Sequence, residues 1–223
     1  MSRKLVRLFI AIAVAAFPVA SFAATPAPNQ GSVKGNTLAS SAFPVGSISI
    51  DRKFNYIGTT SFVLYEVADC EIHVFAELDG KRVQRFYWIQ FEGYLATKPH
   101  NHYDYSKDPQ RTMLGGHAFH ERVWFRNIEN AGKTMRPGSD SAAVWKLFED
   151  NGLTLGTDIM QMRLVRLDES KRRELMIIYS ESLSLQSLKA ADFAEGGSAV
   201  GKREMVIDGL RQRAIDGLTM NMP

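Results

Sequence analysis

The distribution of proline most constrains the fold of this chain. No proline lies between Pro44 and Pro99, or between Pro137 and the last residue, whereas the middle of the chain also contains Pro109. Proline removes a backbone donor and breaks helix interiors and sheet ladders. The pattern therefore predicts two regularly structured blocks that flank a loop-rich insert at about residues 96–120.

The first block has the pattern of antiparallel strands. Asp79-Gly80 is a two-residue turn signal typical of β-hairpins, and it lies between two strand-forming runs, residues 71–78 and 81–95. Residues 61–67 form a third run rich in β-branched and aromatic residues. These features predict a three-stranded antiparallel unit around the turn.

Regular pairing outward from the turn predicts two faces for this hairpin. It sets Ile72 opposite Tyr87, which makes one face an apolar core face. The second face mixes aromatic and polar side chains, and this composition is more typical of a half-covered surface than of a ligand surface. For the ligand-binding alternative, the candidate residues are His73, Phe75, Phe86 and Trp88 on the hairpin, with Tyr103 and Tyr105 on the insert.

The second block predicts two helices and two strands. Ser139 is one of several candidate N-caps for a helix that should stop at Asn151-Gly152, and residues 158–167 and 174–183 have strand patterns. The second of these strands is apolar on both faces, so it should be central and covered on two sides. An amphipathic helix over about residues 202–218 is the candidate cover.

These elements together predict an α+β fold. We expect a curved antiparallel sheet or a partly closed β-barrel of about six or seven strands, with an internal helix and a C-terminal amphipathic helix. About 200 mature residues can bury an adequate core without covalent cross-links, as one domain or two small ones, and we expect residues 47–223 to form a single domain.

The N-terminus has the pattern of a secretory signal peptide. Basic residues precede a short apolar run, and small residues lead to a predicted cleavage site after Ala23. The alternative is an uncleaved membrane anchor, although the run is short for a membrane span. We therefore expect a signal peptide at residues 1–23, a flexible segment at 24–46, no integral membrane segment after cleavage, and a periplasmic or secreted location.

Charge and cysteine content exclude several classes of function. The chain has 27 lysines and arginines against 24 aspartates and glutamates, but three of the basic residues belong to the leader, which leaves 24 against 24. A neutral mature chain argues against nucleic-acid binding. Cys70 is the only cysteine, so an intramolecular disulfide and a thiolate zinc cluster are excluded, and we expect a buried thiol.

Four of the five histidines lie within the insert, at His100, His102, His117 and His120. The first two share one side if their segment is extended, whereas the second two point to opposite sides if theirs is a strand. The strand-forming residues after His120 favour a strand there. A shared site with a third ligand would suit zinc or iron, but a polar surface loop explains the same composition.

The sequence contains none of the common phosphate-binding, nucleophile-elbow or zinc-protease motifs. We therefore expect an exported, non-enzymatic protein that binds a small-molecule, polymeric or envelope ligand. The alternative from another class is a metal-dependent hydrolase or oxygenase that uses the histidines of residues 100–121. A structural module of a larger envelope assembly remains a third hypothesis.

Overall fold

The fold consists of two antiparallel sheets and three α-helices within residues 30–223, the part of the chain that a computed structural model describes. In chain order the elements are β1 (Gly31–Lys34), β2 (Thr37–Ser40), β3 (Gly46–Ile50), β4 (Asn55–Leu64), β5 (Ala68–Asp79), β6 (Arg82–Tyr94), β7 (Arg111–Leu114), β8 (His117–Asn127), α1 (Ala131–Thr134), α2 (Asp140–Asp150), β9 (Thr154–Leu155), β10 (Asp158–Leu167), β11 (Arg173–Ser182), α3 (Arg203–Asp216) and β12 (Leu218–Asn221). Three short 3₁₀ helices connect β11 to α3.

The larger sheet has the strand order β4-β5-β6-β11-β10-β8-β7, and the two-residue β9 pairs in parallel with β6. The smaller sheet has the order β1-β2-β3-β12. The predicted α+β class with mostly antiparallel sheets is confirmed. Within the described residues, neither sheet closes into a barrel.

The larger sheet is covered on both faces. Its α3 face, which includes Phe75, Tyr87 and Ile177, shares one apolar core with the smaller sheet and α3. Its α2 face, which includes Trp88 and Ile178, forms a second core with α2. Strand β11 is the fourth of seven on the sheet path, which confirms the prediction of a central strand covered on two sides.

The predicted register of the first hairpin is wrong. The turn residues are Gly80 and Lys81, and Asp79 pairs with Arg82. The register then shifts between Leu78 and Glu77, so that Gln84 forms a β-bulge without a partner on β5. A bulge adds one residue to one strand and changes which side chains share a face.

Beyond the bulge, Ile72 pairs with Gln90 instead of Tyr87. His73 and Phe75 consequently lie on the α3 face, whereas Phe86 and Trp88 lie on the α2 face. The single mixed face that regular pairing predicted does not form.

Both predicted helices are present. The Ser139 hydroxyl accepts a hydrogen bond from the amide of Ala142, which caps α2 as predicted, and Gly152 follows the helix with a positive φ. Helix α3 ends at Asp216, earlier than predicted, because Leu218 begins β12. Gly217 makes this close turn possible, since a Cβ there would collide with the hydroxyl of Tyr87.

The prediction of a flexible segment at residues 24–46 is wrong for its described part. Strands β1 and β2 lie within residues 30–46 and pair with each other and with β3. These strands contain few apolar residues, but Leu38 of β2 is buried in the core that the two sheets share with α3, and it holds the strands in place. The predicted signal peptide lies outside the described residues. Within residues 30–223, no helix is long and apolar enough to cross a membrane.

Candidate ligand-binding site

The insert is shorter than predicted, and its histidines do not converge. Residues 95–110 are irregular, but β7 and β8 form a hairpin from Arg111 onward. His117 and His120 lie on opposite faces of β8, as expected for a strand. Nε2 of His117 is 3.5 Å from the carbonyl oxygen of Met222, whereas the ring of His120 lies 5.6 Å from the ring of Tyr105.

His100 and His102 are exposed in the irregular part of the insert. Nδ1 of His102 is 3.1 Å from the carbonyl oxygen of Ser170 in the turn between β10 and β11. Among residues 30–223, no group of three or more histidine, cysteine, aspartate or glutamate side chains is placed to hold a metal ion.

His73 supports Glu71, the residue that links the larger sheet to the start of the smaller one. Its Nε2 is 2.7 Å from Oε1 of Glu71, and its Nδ1 is 3.2 Å from the hydroxyl of Tyr56. Glu71 also accepts hydrogen bonds from the amides of Gln30 and Gly31, at the start of β1. Burial raises the pKa of Glu71, but these hydrogen bonds outweigh it and hold the pKa below its usual value. His73 therefore belongs to a buried hydrogen-bonded group that holds the start of β1 against the larger sheet.

Phe86 and Trp88 line a cavity of about 200 Å³ between α2 and the larger sheet. The chain contains three tryptophans, and the other two, Trp124 and Trp145, line the same cavity. They come from three different elements: Trp88 from β6, Trp124 from β8 and Trp145 from α2. The fold therefore collects every tryptophan of the protein around one space.

Hydrogen bonds fix the orientation of these indole rings. Nε1 of Trp88 donates to Gln90, and Nε1 of Trp124 donates to Gln161, each over 2.9 Å. Nε1 of Trp145 donates over 2.8 Å to Glu149, one turn later on α2. Because each indole N–H has a side-chain acceptor, the rings are held as a preformed aromatic wall.

Arg163 provides a cation at the wall of this cavity. Its Nη2 forms an ion pair with Asp108 of the insert over 2.5 Å, and its guanidinium lies 4.9 Å from the ring of Tyr105. Its Nε is buried without a hydrogen-bond partner among the described residues. Such an unpaired donor is rare inside a protein.

Tyr103 and Tyr105 attach the insert to two carboxylates of the larger sheet, the half-buried Glu92 and the buried Glu174. The Tyr103 hydroxyl donates to Glu92 and the Tyr105 hydroxyl to Glu174, each over 2.8 Å. Burial and the neighbouring charge of Glu92 raise the pKa of Glu174 to about 8. These two tyrosines therefore fix the position of the insert, whose Asp108 forms the ion pair with Arg163.

A second groove of about 490 Å³ adjoins the aromatic cavity. The two spaces share Arg126, Ile128, Met135, Asp140 and Ser141, so they lie next to each other around the start of α2. The outer part also includes Arg136, whose guanidinium lies 4.0 Å from the ring centre of Tyr65. We call the two parts the inner cavity and the outer groove.

The smaller sheet borders a separate polar cavity of about 410 Å³, which Cys70 and Glu92 help to line. The Cys70 thiol donates to Glu92 over 3.2 Å, and burial raises its pKa far above the ordinary value. The predicted buried, free thiol is confirmed. A thiol with such a high pKa is a poor nucleophile, so this cavity lacks an activated group at Cys70.

Sequence reasoning named two residues of the inner cavity, Phe86 and Trp88, and missed Trp124, Trp145 and Arg163. The scarcity of tryptophan was the available signal, but their convergence depends on contacts between distant strands and a helix. Ligand binding by the residues named in advance remains a prediction. Comparisons with protein families, curated proteins and solved structures found no match for this chain.

Proposed function

We propose that the protein is an exported, non-enzymatic ligand-binding module whose ligand occupies the inner cavity and the outer groove. One observation carries this proposal: all three tryptophans of the chain line one cavity, beside an arginine with an unpaired donor. Aromatic walls with a few polar groups are characteristic of sites for small ligands. Export is proposed from the pattern of residues 1–23.

Intrinsic fluorescence offers a direct test, because every tryptophan of the chain lines the inner cavity. The purified mature protein should be titrated with a panel of monosaccharides, oligosaccharides, aromatic acids and amino acids. A ligand of this site should change the tryptophan emission and saturate. Substitution Trp145→Ala should weaken its binding by about tenfold, which corresponds to about 1.4 kcal/mol.

Met205→Ala is a suitable control, because Met205 is 64% exposed on α3, on the other side of the larger sheet. It should leave the affinity unchanged. The affinity of each variant for a bound panel member should also be measured by calorimetry. If Trp145→Ala, Trp124→Ala and Arg163→Gln all keep the affinity of the wild type, the ligand binds elsewhere and the proposal is contradicted.

Two further measurements test the remaining parts. Cell fractionation should find the protein outside the cytoplasm, and N-terminal sequencing should begin near Ala24. Metal analysis of the untagged protein tests the alternative enzyme hypothesis. Stoichiometric zinc, iron or copper that is lost on substitution of His100 and His102 by alanine would favour that hypothesis over ligand binding alone.

A further inference from the structure

The polar lining of the groove indicates what kind of ring the aromatic wall receives. Gln161, Asp140 and Ser141 border the inner cavity together with the tryptophans. These side chains offer both donors and acceptors. Gln161 already accepts from Trp124, and Asp140 accepts from Ser141, but these side chains have further hydrogen-bonding capacity. A hydroxylated ring has polar edges that match it and apolar faces for stacking on indoles, whereas a hydrocarbon or simple aromatic ring offers only the faces.

The dimensions of the site indicate a ligand of several linked units. Pockets for drug-sized ligands usually measure about 300 to 1,000 Å³, so the inner cavity of about 200 Å³ has room for roughly one substituted ring. The outer groove is larger, at about 490 Å³, and it adjoins the inner cavity, with which it shares five lining residues. A chain of rings with its end in the inner cavity fits this shape.

The excess of positive charge in the lining of the inner cavity and the outer groove indicates an anionic ligand. Arg126, Arg136 and Arg163 line the two parts, against one carboxylate, that of Asp140. Asp108 neutralises Arg163 in part, but Arg126 and Arg136 form no ion pair within the described range 30–223. Two exposed, unpaired arginines on an otherwise weakly charged groove attract negative ligands.

We propose that the ligand is an acidic oligosaccharide, in which a uronate ring stacks on the aromatic wall and carboxylates bind Arg126 and Arg136. This inference rests on the proposed function, since it names the ligand class of the same site. Arginine binds carboxylates through paired N–H donors, and Arg163 adds a further cation to the lining of the inner cavity.

The test compares three probes by tryptophan fluorescence and calorimetry: tetragalacturonate, the neutral cellotetraose, and benzoate as a charged ring without hydroxyls. Tetragalacturonate should bind at least tenfold more tightly than either of the others. Its affinity should fall as sodium chloride is raised, because part of the interaction is between charges near the surface.

Two double variants distinguish binding at a specific site from a general attraction between the protein and an anion. Arg126→Gln with Arg136→Gln should weaken tetragalacturonate binding at least tenfold. Lys34→Gln with Arg52→Gln removes the same charge from two exposed positions, at the end of β1 and after β3, and should change the affinity less than twofold. Circular dichroism of both variants verifies that they are folded.

Each outcome discriminates between the two proposals. Saturable binding of cellotetraose or benzoate in the inner cavity without binding of tetragalacturonate would overturn the acidic ligand and leave the ligand-binding function standing. Equal loss in both double variants would also overturn the assignment to Arg126 and Arg136. If no member of the wider panel changes the tryptophan emission in a saturable way, the proposed function itself is contradicted.

Discussion

Glu92 on β6 lies directly opposite Glu174 on β11, and both carboxylates are on the α2 face of the larger sheet, where Glu174 is buried and Glu92 is half-buried. Like charges at paired strand positions are unfavourable, and burial adds a desolvation cost to each. The pKa values of both groups are raised, mainly by burial. A proton on Glu174 relieves this repulsion, whereas the hydrogen bond from Tyr105 favours the ionised form and opposes the shift only in part.

The Glu174 proton predicts a loss of stability at alkaline pH. Its pKa is about 8 in the folded protein, against an ordinary value of 4.5. Between these values the folded state holds a proton that the unfolded state has released, so the free energy of unfolding falls as pH rises. We expect a decrease of about 3 to 5 kcal/mol, measured by urea unfolding at pH 5 and pH 9.

Substitution Glu174→Gln is the matched control for this prediction. Glutamine retains the shape and an acceptor for Tyr105 but carries no charge. The variant should be more stable than the wild type at pH 9 and should show a much weaker dependence on pH. A pH profile identical to that of the wild type would show that another group controls the loss.

Phe86 should be essential for the packing of α2. The side chain is 4% exposed, and its ring lies 5.2 Å from the ring of Phe148 in an edge-to-face arrangement. Phe86→Ser should reduce the free energy of unfolding by about 3 to 5 kcal/mol, whereas Met205→Ala should leave it almost unchanged. A loss below about 1 kcal/mol would mean that Phe86 is not part of the core.

Gly217 should tolerate no side chain. A Cβ at this position would collide with the Tyr87 hydroxyl, which donates a hydrogen bond of 2.8 Å to the carbonyl of Ala214. Gly217→Ala should destabilise the protein by about 1 to 3 kcal/mol. Gly201→Ala, where an added Cβ meets nothing within 4 Å, should be neutral, and Tyr87→Phe should restore part of the loss in the Gly217→Ala background.

Arg211 should contribute far more than an ordinary surface cation. It forms an ion pair of 2.8 Å with Glu121 of β8, whose side chain is 2% exposed. Arg211→Gln leaves that charge buried without its cation, and we expect a loss of about 3 kcal/mol in thermal or urea unfolding. The exposed pair Lys146–Asp150 on α2 is the control, and Lys146→Gln should cost less than about 0.5 kcal/mol. Similar losses for the two variants would contradict this assignment.

Local sequence signals predicted much of the fold. Strand β10 matches the predicted residues 158–167, because its apolar pattern is bounded by turn residues. Helix α2 was predictable from its Ser139 cap and the Asn151-Gly152 stop. These features depend on interactions within a few residues, which a sequence pattern records directly.

Features that depend on pairing between distant strands were not predictable in the same way. Strands β1 and β2 have weak patterns of their own and form through contacts with β3 and the core below. The candidate site shows the same limit, since Trp124 and Arg163 reach it through the β8–β10 register. The position of Glu92 opposite Glu174 likewise follows from the β6–β11 register.

The β-bulge at Gln84 gives the hairpin an odd count of residues on one strand and an even count on the other. Val83 and Phe86, three positions apart, consequently share the α2 face. If Gln84 instead paired regularly with Glu77, Trp88 would exchange sides with Tyr87, and the core beneath α3 would receive an indole in place of the tyrosine that Gly217 accommodates. The unpaired Gln84, ten positions before Tyr94 ends the strand, therefore determines which face of the sheet carries the aromatic wall.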